Sequence, residues 1–346
     1  MYQGAWQQSS ALGHEGLDQE DWVATSVIAR SRSKKRIVIT FMVVVLTALL
    51  ATGTAFYERP GMFVTAIQRF RVWRMGIDTR SVMLGSFRIN YIVAGEGRPI
   101  VLVHGLAGRA EDWLDLIPSL ARNGFKVYAP DLLGFGRSSR PDVEYSISQQ
   151  EDMVLQFMDS QHLQQPDVAG WSMGGWIALK FAADHPERVR RLILLSSAGL
   201  KFDAVNAPAL RPKTEAELAH MMAILTPHPK VIPSFYAQEL LRDFAAEDWV
   251  IDRSLKSMFA GKDIMDGKMG SVKLPVMIAW GKQDVLTPPS IGEEMRREMP
   301  QSVYFLFDDS GHLAPTECSA RLGPHVVEFL KAEPAMPAGI REEPCR

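Results

Sequence analysis

From about residue 81 onward the chain repeats one pattern: a short apolar run, a turn, then a stretch of helical character. Short continuous apolar runs bounded by turns read as strands buried on both faces, and strands separated by helices pair in parallel. Residues 100–103, 127–129, 167–171, 189–195, 276–280 and 303–307 are such runs. Helical signals fall at 112–122 and from the residue after Ser172 toward His185. Residues 81–93 read instead as a hairpin turning at Gly85-Ser86. The expected fold class is therefore α/β: a mostly parallel sheet with helices on both faces. The alternation breaks between about 200 and 273, a helical, Met-containing stretch (Met221, Met222, Met258, Met265, Met269) that reads as an inserted cap over the sheet's C-terminal edge.

The N-terminal region obeys different rules. Residues 1–36 are polar and end in a basic cluster, Arg30, Arg32, Lys34, Lys35 and Arg36, and read as a flexible basic tail. Residues 37–56 carry no charge and are rich in Val, Leu, Ile and Ala. About 20 such residues in a helix cross a hydrocarbon core of about 30 Å. An uncleaved single-pass anchor is the reading; the alternatives are a signal peptide, with small residues at Ala51, Gly53 and Ala55 although the leader and apolar region are long for one, and a buried soluble helix, which the lack of a polar face disfavours. The dense cluster before the span, against the dispersed Arg59, Arg69, Arg71 and Arg74 after it, favours a cytoplasmic N-terminus and an extracytoplasmic catalytic domain. Residues 57–77 form an amphipathic linker whose stripe (Met62, Phe63, Ala66, Ile67, Phe70, Trp73) suits either a membrane interface or packing on the domain. The main domain is then 78–331, and 332–346, rich in Pro and Glu, reads as a disordered tail.

With a formal net charge of -2 over 346 residues, nothing in the charge balance suggests nucleic acid or a strongly acidic partner. The two cysteines, Cys318 and Cys345, are too few for a disulfide framework. With Cys345 in the tail they read as free thiols, a single disulfide between them being the alternative. No histidine–carboxylate cluster has metal-ligand spacing, so neither metal nor other cofactor is expected.

The chemistry concentrates in three loops. Gly170-Trp171-Ser172-Met173-Gly174 follows a strand and precedes a helix. G-x-S-x-G in that context is a nucleophile elbow, whose glycines permit a sharp turn that lifts the serine hydroxyl above the sheet. A serine nucleophile needs a base, and the base an orienting acid, in the chain order Ser, Asp or Glu, His. Asp284 follows the strand at 276–280 and His312 follows the strand at 303–307. Parallel strands bring all three loops to one edge of the sheet. The backbone N–H groups of Leu106, after His104-Gly105, and of Met173 are the candidate oxyanion donors. His104 is expected to orient its turn; His162, His185, His220 and His325 are bland, and His228 is a loop residue with no visible partner.

These motifs, with Asp131-Leu132-Leu133-Gly134-Phe135-Gly136-Arg137-Ser138 and Trp280-Gly281-Lys282-Gln283-Asp284, make residues 78–331 resemble the α/β-hydrolase family of serine hydrolases. Within it the chain is similar to membrane-anchored monoacylglycerol lipases, a likeness that includes Ser197-Ala198-Gly199-Leu200 at the cap entry. The resemblance implies triad roles for Ser172, Asp284 and His312. It also implies an esterase or lipase acting through an acyl-enzyme on a small-molecule or lipid ester at a membrane. Epoxide hydrolases and haloalkane dehalogenases need an aspartate where Ser172 stands. Carbon–carbon bond hydrolysis and cofactor-free peroxidase chemistry use the same triad and stay open as alternatives, as does a non-catalytic membrane receptor, which a complete triad disfavours.

Overall fold

The computed structural model describes residues 19–58, 61, 63, 70 and 72–345. The chain divides into two compact units, 1–59 and 60–346. The first unit contributes one long helix, α1 (Gln19–Glu58). Its stretch Lys35–Glu58 is long and apolar enough to cross a membrane, and none of it is buried. The flexible tail expected over 1–36 is corrected from residue 19 on, where the chain is helical. Gln, Glu, Ala, Arg and Lys are good helix formers, and extending an existing helix avoids the cost of a new nucleus. The rest of that tail, 1–18, lies outside the described residues. So does most of the linker between 59 and 71. At its end Val72, Met75 and Ile77 pack on the core, while Phe70 and Trp73 are exposed with their rings 5.8 Å apart.

The second unit is built on a nine-stranded sheet. In chain order its strands are β1 (Asp78–Leu84), β2 (Phe87–Ala94), β3 (Arg98–Val103), β4 (Phe125–Pro130), β5 (Asp167–Trp171), β6 (Leu192–Leu195), β7 (Val276–Gly281), β8 (Val303–Asp308) and β9 (Gly339–Pro344). Their spatial order is β1-β2-β4-β3-β5-β6-β7-β8-β9. The β1–β2 hairpin turns at Gly85-Ser86, and β2 runs antiparallel to β4; all later neighbours are parallel. Alternation along each strand splits the core between two faces. Val101, Val103, Leu192, Leu194, Ile278 and Trp280 enter one cluster. Ile100, Leu102, Ile193, Leu195, Met277 and Ala279 enter the other. The pairings Val103 with Gly170, Trp171 with Leu195, and Leu195 with Ala279 bring the ends of β3, β5, β6 and β7 level at one edge.

Between β6 and β7 the chain leaves the sheet. It forms helices Glu215–Leu225 and Ser234–Phe259, joined through a small cluster of Leu218, Met221 and Ala237. Thr214 starts the first of them, its side chain accepting from the Glu217 N–H at 3.2 Å.

The C-terminal segment corrects a second expectation. Residues 332–346, read as a disordered tail, contain β9, which pairs with β8 from Val303–Gly339 to Asp308–Pro344. Cys318 and Cys345, read as free thiols, form a disulfide. An edge strand pairs on one side only and tolerates charge, so its sequence carries little apolar signal. What anchors this one is sparse: buried Met336 and Cys345, the Arg341 guanidinium over the Phe305 ring at 5.4 Å, and Glu343 beside His325 at 3.5 Å. The crosslink spans a sequence separation of 27 residues. Loop-closure entropy for such a span is worth about 3–4 kcal/mol. Thermal unfolding followed by circular dichroism should therefore show a melting temperature lower by several degrees in reductant than without it; an unchanged midpoint would mean that β9 holds without its crosslink.

Candidate active site

Ser172 sits at the junction of β5 and helix Met173–Asp184 with φ 58° and ψ -120°. A non-glycine residue there costs on the order of 1–3 kcal/mol and persists only where its surroundings hold it. They do so from both sides. The Ser172 N–H donates to the Leu195 carbonyl at 3.0 Å, and the Ser172 carbonyl accepts from Gly175 and Ala198 at 3.0 Å each. The flanking glycines leave room for the turn. A Cβ on Gly170 would strike the Gly174 carbonyl, and a Cβ on Gly174 would strike the Val103 and His104 carbonyls.

Asp284 and His312 come together where β7 and β8 end. Asp284 is 3% exposed and His312 4%. Asp284 Oδ2 lies 2.9 Å from His312 Nδ1. Its other oxygen accepts from the N–H groups of Leu286 and Thr287, each at 2.9 Å, so the carboxylate is fixed before it meets the ring. Removing one member of a buried charge-assisted pair costs about 3–5 kcal/mol. Two further contacts orient the ring. Thr287 Oγ1 lies 2.9 Å from Asp284 Oδ2 and 3.1 Å from His312 Nδ1, and the Trp171 indole N–H donates to the His312 carbonyl at 3.1 Å. With Nδ1 committed to the carboxylate, Nε2 is the nitrogen left for a substrate. Asp308 and Asp309, nearer in sequence, face elsewhere: Asp308 pairs with Lys282 at 2.7 Å and Asp309 with His228 at 2.5 Å. That contact corrects the reading of His228 as partnerless.

The turn after β3 is held from within. His104 is fully buried. Its Nδ1 lies 2.7 Å from the Gly105 carbonyl, and its Nε2 accepts from the Leu132 N–H at 2.9 Å. Burial also pushes its pKa below the ordinary imidazole value. A neutral ring with Nδ1 protonated satisfies both contacts, so His104 is an orienting group and has no nitrogen free for chemistry. Asp131 locks the same region, accepting from Ala110 at 2.7 Å, Arg137 at 2.9 Å and the Asn90 amide at 3.0 Å. Asp112 Oδ2 accepts from the Arg109 N–H at 2.9 Å, and burial pushes its carboxyl pKa up.

Ser172, Leu106 and His312 line one chamber of about 350 Å³. Ser172, Leu106 and Met173 line a second of about 460 Å³. Met173 is the first residue of its helix, where an N–H has no intrahelical acceptor and meets the positive end of the helix dipole. The walls are mainly apolar; those of the larger chamber come largely from the cap, and those of the smaller one largely from the loops that follow the strands. Of the cap methionines, Met221 lines the smaller chamber and Met258 the larger, whereas Met265 and Met269 are buried in the core. Two residues of this site escaped sequence reasoning. Thr287 is one; its signal would have been a hydroxyl three residues after the acid. Trp171, inside the elbow motif, is the other; the G-x-S-x-G pattern leaves its position open to any residue.

Comparison with known proteins finds chains similar to this one. A sequence model of the α/β-hydrolase fold matches residues 98–219. A 2-hydroxymuconate semialdehyde hydrolase of Pseudomonas sp. (strain CF600) is 28% identical over 72% of this chain and 93% of its own length. Lipase 3 of Moraxella sp. (strain TA144) is 26% identical over 64% of this chain and 73% of its own. The crystal structure of a membrane phospholipase A, described as a bacterial virulence factor, superposes with a TM-score of 0.74 at 22% identity, covering 84% of this chain and 97% of that one. That last likeness is one of fold.

The close approach of helix and strand behind the elbow yields a stability prediction. Gly174→Ala should destabilise the domain by about 1–3 kcal/mol or more through overpacking against the end of β3. Chemical denaturation should register it as a lower midpoint at unchanged slope; a wild-type midpoint would show that the β3 turn can yield.

Proposed function

This chain belongs to the α/β-hydrolase fold family and is a hydrolase, and on that premise we propose that it cleaves carboxylic esters by an acyl-enzyme mechanism. Ser172 is the nucleophile, His312 the general base, Asp284 its orienting acid, and the Leu106 and Met173 N–H groups the oxyanion donors. The observation that carries this reading is the buried Asp284–His312 pair opening, with the strained Ser172, onto a chamber of apolar walls.

Ser172 Oγ attacks the ester carbonyl carbon as its proton passes to His312 Nε2. The carbonyl oxygen gains the charge, which the two N–H groups stabilise; one such donor is worth about 10²–10³ in turnover. His312 then gives the proton to the departing alcohol oxygen, leaving the acyl group on Ser172. Water, deprotonated by the same nitrogen, releases the acid and restores the hydroxyl. Asp284 keeps the Nδ1 proton in place and offsets the imidazolium charge.

The relatives named hydrolases of 2-hydroxymuconate semialdehyde favour a second reading, carbon–carbon bond cleavage on the same triad. The chamber walls argue for esters. An anionic muconate calls for a cation held out of water beside Ser172, whereas the one Lys or Arg among the described lining residues, Lys201, is exposed and screened by solvent. Uncharged acylglycerols are the ester class that this lining fits. We also infer that the apolar helix anchors the chain as a single span with the catalytic domain outside the cytoplasm. The Cys318–Cys345 disulfide supports that side, because such bonds persist in oxidising compartments.

Two measurements test the roles. A fluorophosphonate probe should label the wild type and leave Ser172→Ala unlabelled; equal labelling of both would remove the nucleophile. Asp284→Asn should fold, yet lose turnover on a soluble ester on the order of 10⁴-fold. Full activity in that variant would require another acid for His312. Acylglycerols assayed beside a muconate semialdehyde separate the two reactions directly.

A further inference from the structure

We propose that the two chambers beside Ser172 are separate subsites with a fixed polarity: the 460 Å³ chamber takes the acyl chain and the 350 Å³ chamber takes the alcohol half of the ester. The assignment rests on the ester-hydrolase reading and follows from where the proton must go. The departing alcohol oxygen has to receive a proton from His312, so it must lie within hydrogen-bond reach of that ring. His312 lines the smaller chamber together with Ser172; the residues around the larger one include Ser172 and Met173 but not His312. With the carbonyl oxygen turned to the Leu106 and Met173 N–H groups, the alcohol enters the His312 side. The acyl chain is left with the other.

Both chambers are mainly apolar, and it is the position of His312 that sets their polarity. The larger chamber has Trp176, Leu200, Phe202, Met258, Phe259 and Ile264 in its wall, which offer an alkyl chain extensive apolar contact. Both linings also hold polar side chains, Lys201 and Thr287 in the larger and Asp112 and Thr316 in the smaller, where the latter two can accept hydrogen bonds from hydroxyls on an alcohol such as glycerol. Leu106, Leu210 and Leu286 border both chambers, which meet at Ser172. The walls also come from different parts of the cap. Leu255, Met258 and Phe259, at the end of helix Ser234–Phe259, close the acyl side. Met221 and Leu225 of helix Glu215–Leu225, with Phe244, close the alcohol side. Acyl and alcohol selectivity are thus set by separate residues and can be moved one at a time.

The experiment uses the full chain and two substrate panels. One holds p-nitrophenyl esters from acetate to palmitate; the other holds octanoate esters of methanol, glycerol and 2-naphthol. Ala204→Trp fills the larger chamber at a half-buried position. It should lower kcat/KM on the longest acyl chain relative to the shortest by roughly tenfold or more, the scale of hydrophobic pocket discrimination, without reordering the alcohols. Phe244→Ala opens the smaller chamber and should raise the naphthyl ester relative to the methyl ester by a similar factor, without moving the chain-length optimum. Met258→Ala, which enlarges the larger chamber, should shift the optimum to longer chains and supplies the acyl test if Ala204→Trp does not fold. Fluorophosphonate labelling of each variant reports that the site is intact. Exchanged effects, with Ala204→Trp or Met258→Ala moving alcohol preference and Phe244→Ala moving chain length, would overturn the assignment, as would variants that each move both preferences. Failure of the wild type on both panels would instead sink the ester reading and the subsites with it.

Discussion

The strained backbone of Ser172 is the constraint around which the domain is arranged. A φ of 58° cannot hold itself, so the neighbouring strand ends do. Leu195 at the end of β6 accepts the Ser172 N–H, and Ala198, three residues further along the same loop, donates back to the Ser172 carbonyl. On the other side the turn after β3 presses its carbonyls against Gly174, where any side chain would collide. Three parallel strands therefore share one rigid knot at their C-terminal ends. This explains why the β3 turn is itself so fully bonded. If His104 and Asp131 did not fix it, the surface that backs the elbow would be soft, and the Leu106 N–H would lose its place.

The acid and base obey a second logic. Burying a carboxylate costs several kcal/mol unless its lone pairs are satisfied. Asp284 meets that demand with two backbone N–H groups on one oxygen and with Thr287 and His312 on the other. Asp308 and Asp309 have the opposite surroundings, exposed and paired with Lys282 and His228. An exposed carboxylate is screened by water and free to turn. A buried, fully bonded one holds a ring in a single orientation.

Much of this could be read from the sequence. The parallel strands were legible because residues buried on both faces of a sheet leave an unbroken apolar run, and the turn at Gly85-Ser86 because glycine marks the reversal. Ser172, Asp284 and His312 were legible as candidates because each follows such a run in the chain order the chemistry uses. Thr287 was not, because its contact with His312 depends on the path of the turn after Asp284, which no periodicity encodes. Strand β9 was hidden for a related reason. An edge strand of Ile340, Arg341, Glu342 and Glu343 has the composition of a tail, and only its neighbour β8 and the disulfide make it a strand. The N-terminal helix erred the other way: a polar stretch without periodicity reads as coil, yet it continues a helix already begun by its apolar neighbour.

The C-terminal closure bears on the site through one residue. Glu317 accepts from Ser310 Oγ at 2.9 Å and from the Gly311 N–H at 3.3 Å, on the loop that carries His312, and also from the hydroxyl of Thr226 at the end of a cap helix. Leu313 adds a backbone bond to the Leu225 carbonyl at 3.2 Å. The base loop is thus tied directly to the cap element that walls the alcohol side. The next residue in the chain is Cys318, which the disulfide ties to the end of β9. A carboxylate that holds both the base loop and the cap needs its own helix held still. Fastening that helix to the last strand of the sheet does this, and it gives the C-terminal segment a physical reason to fold back onto a sheet that is otherwise complete.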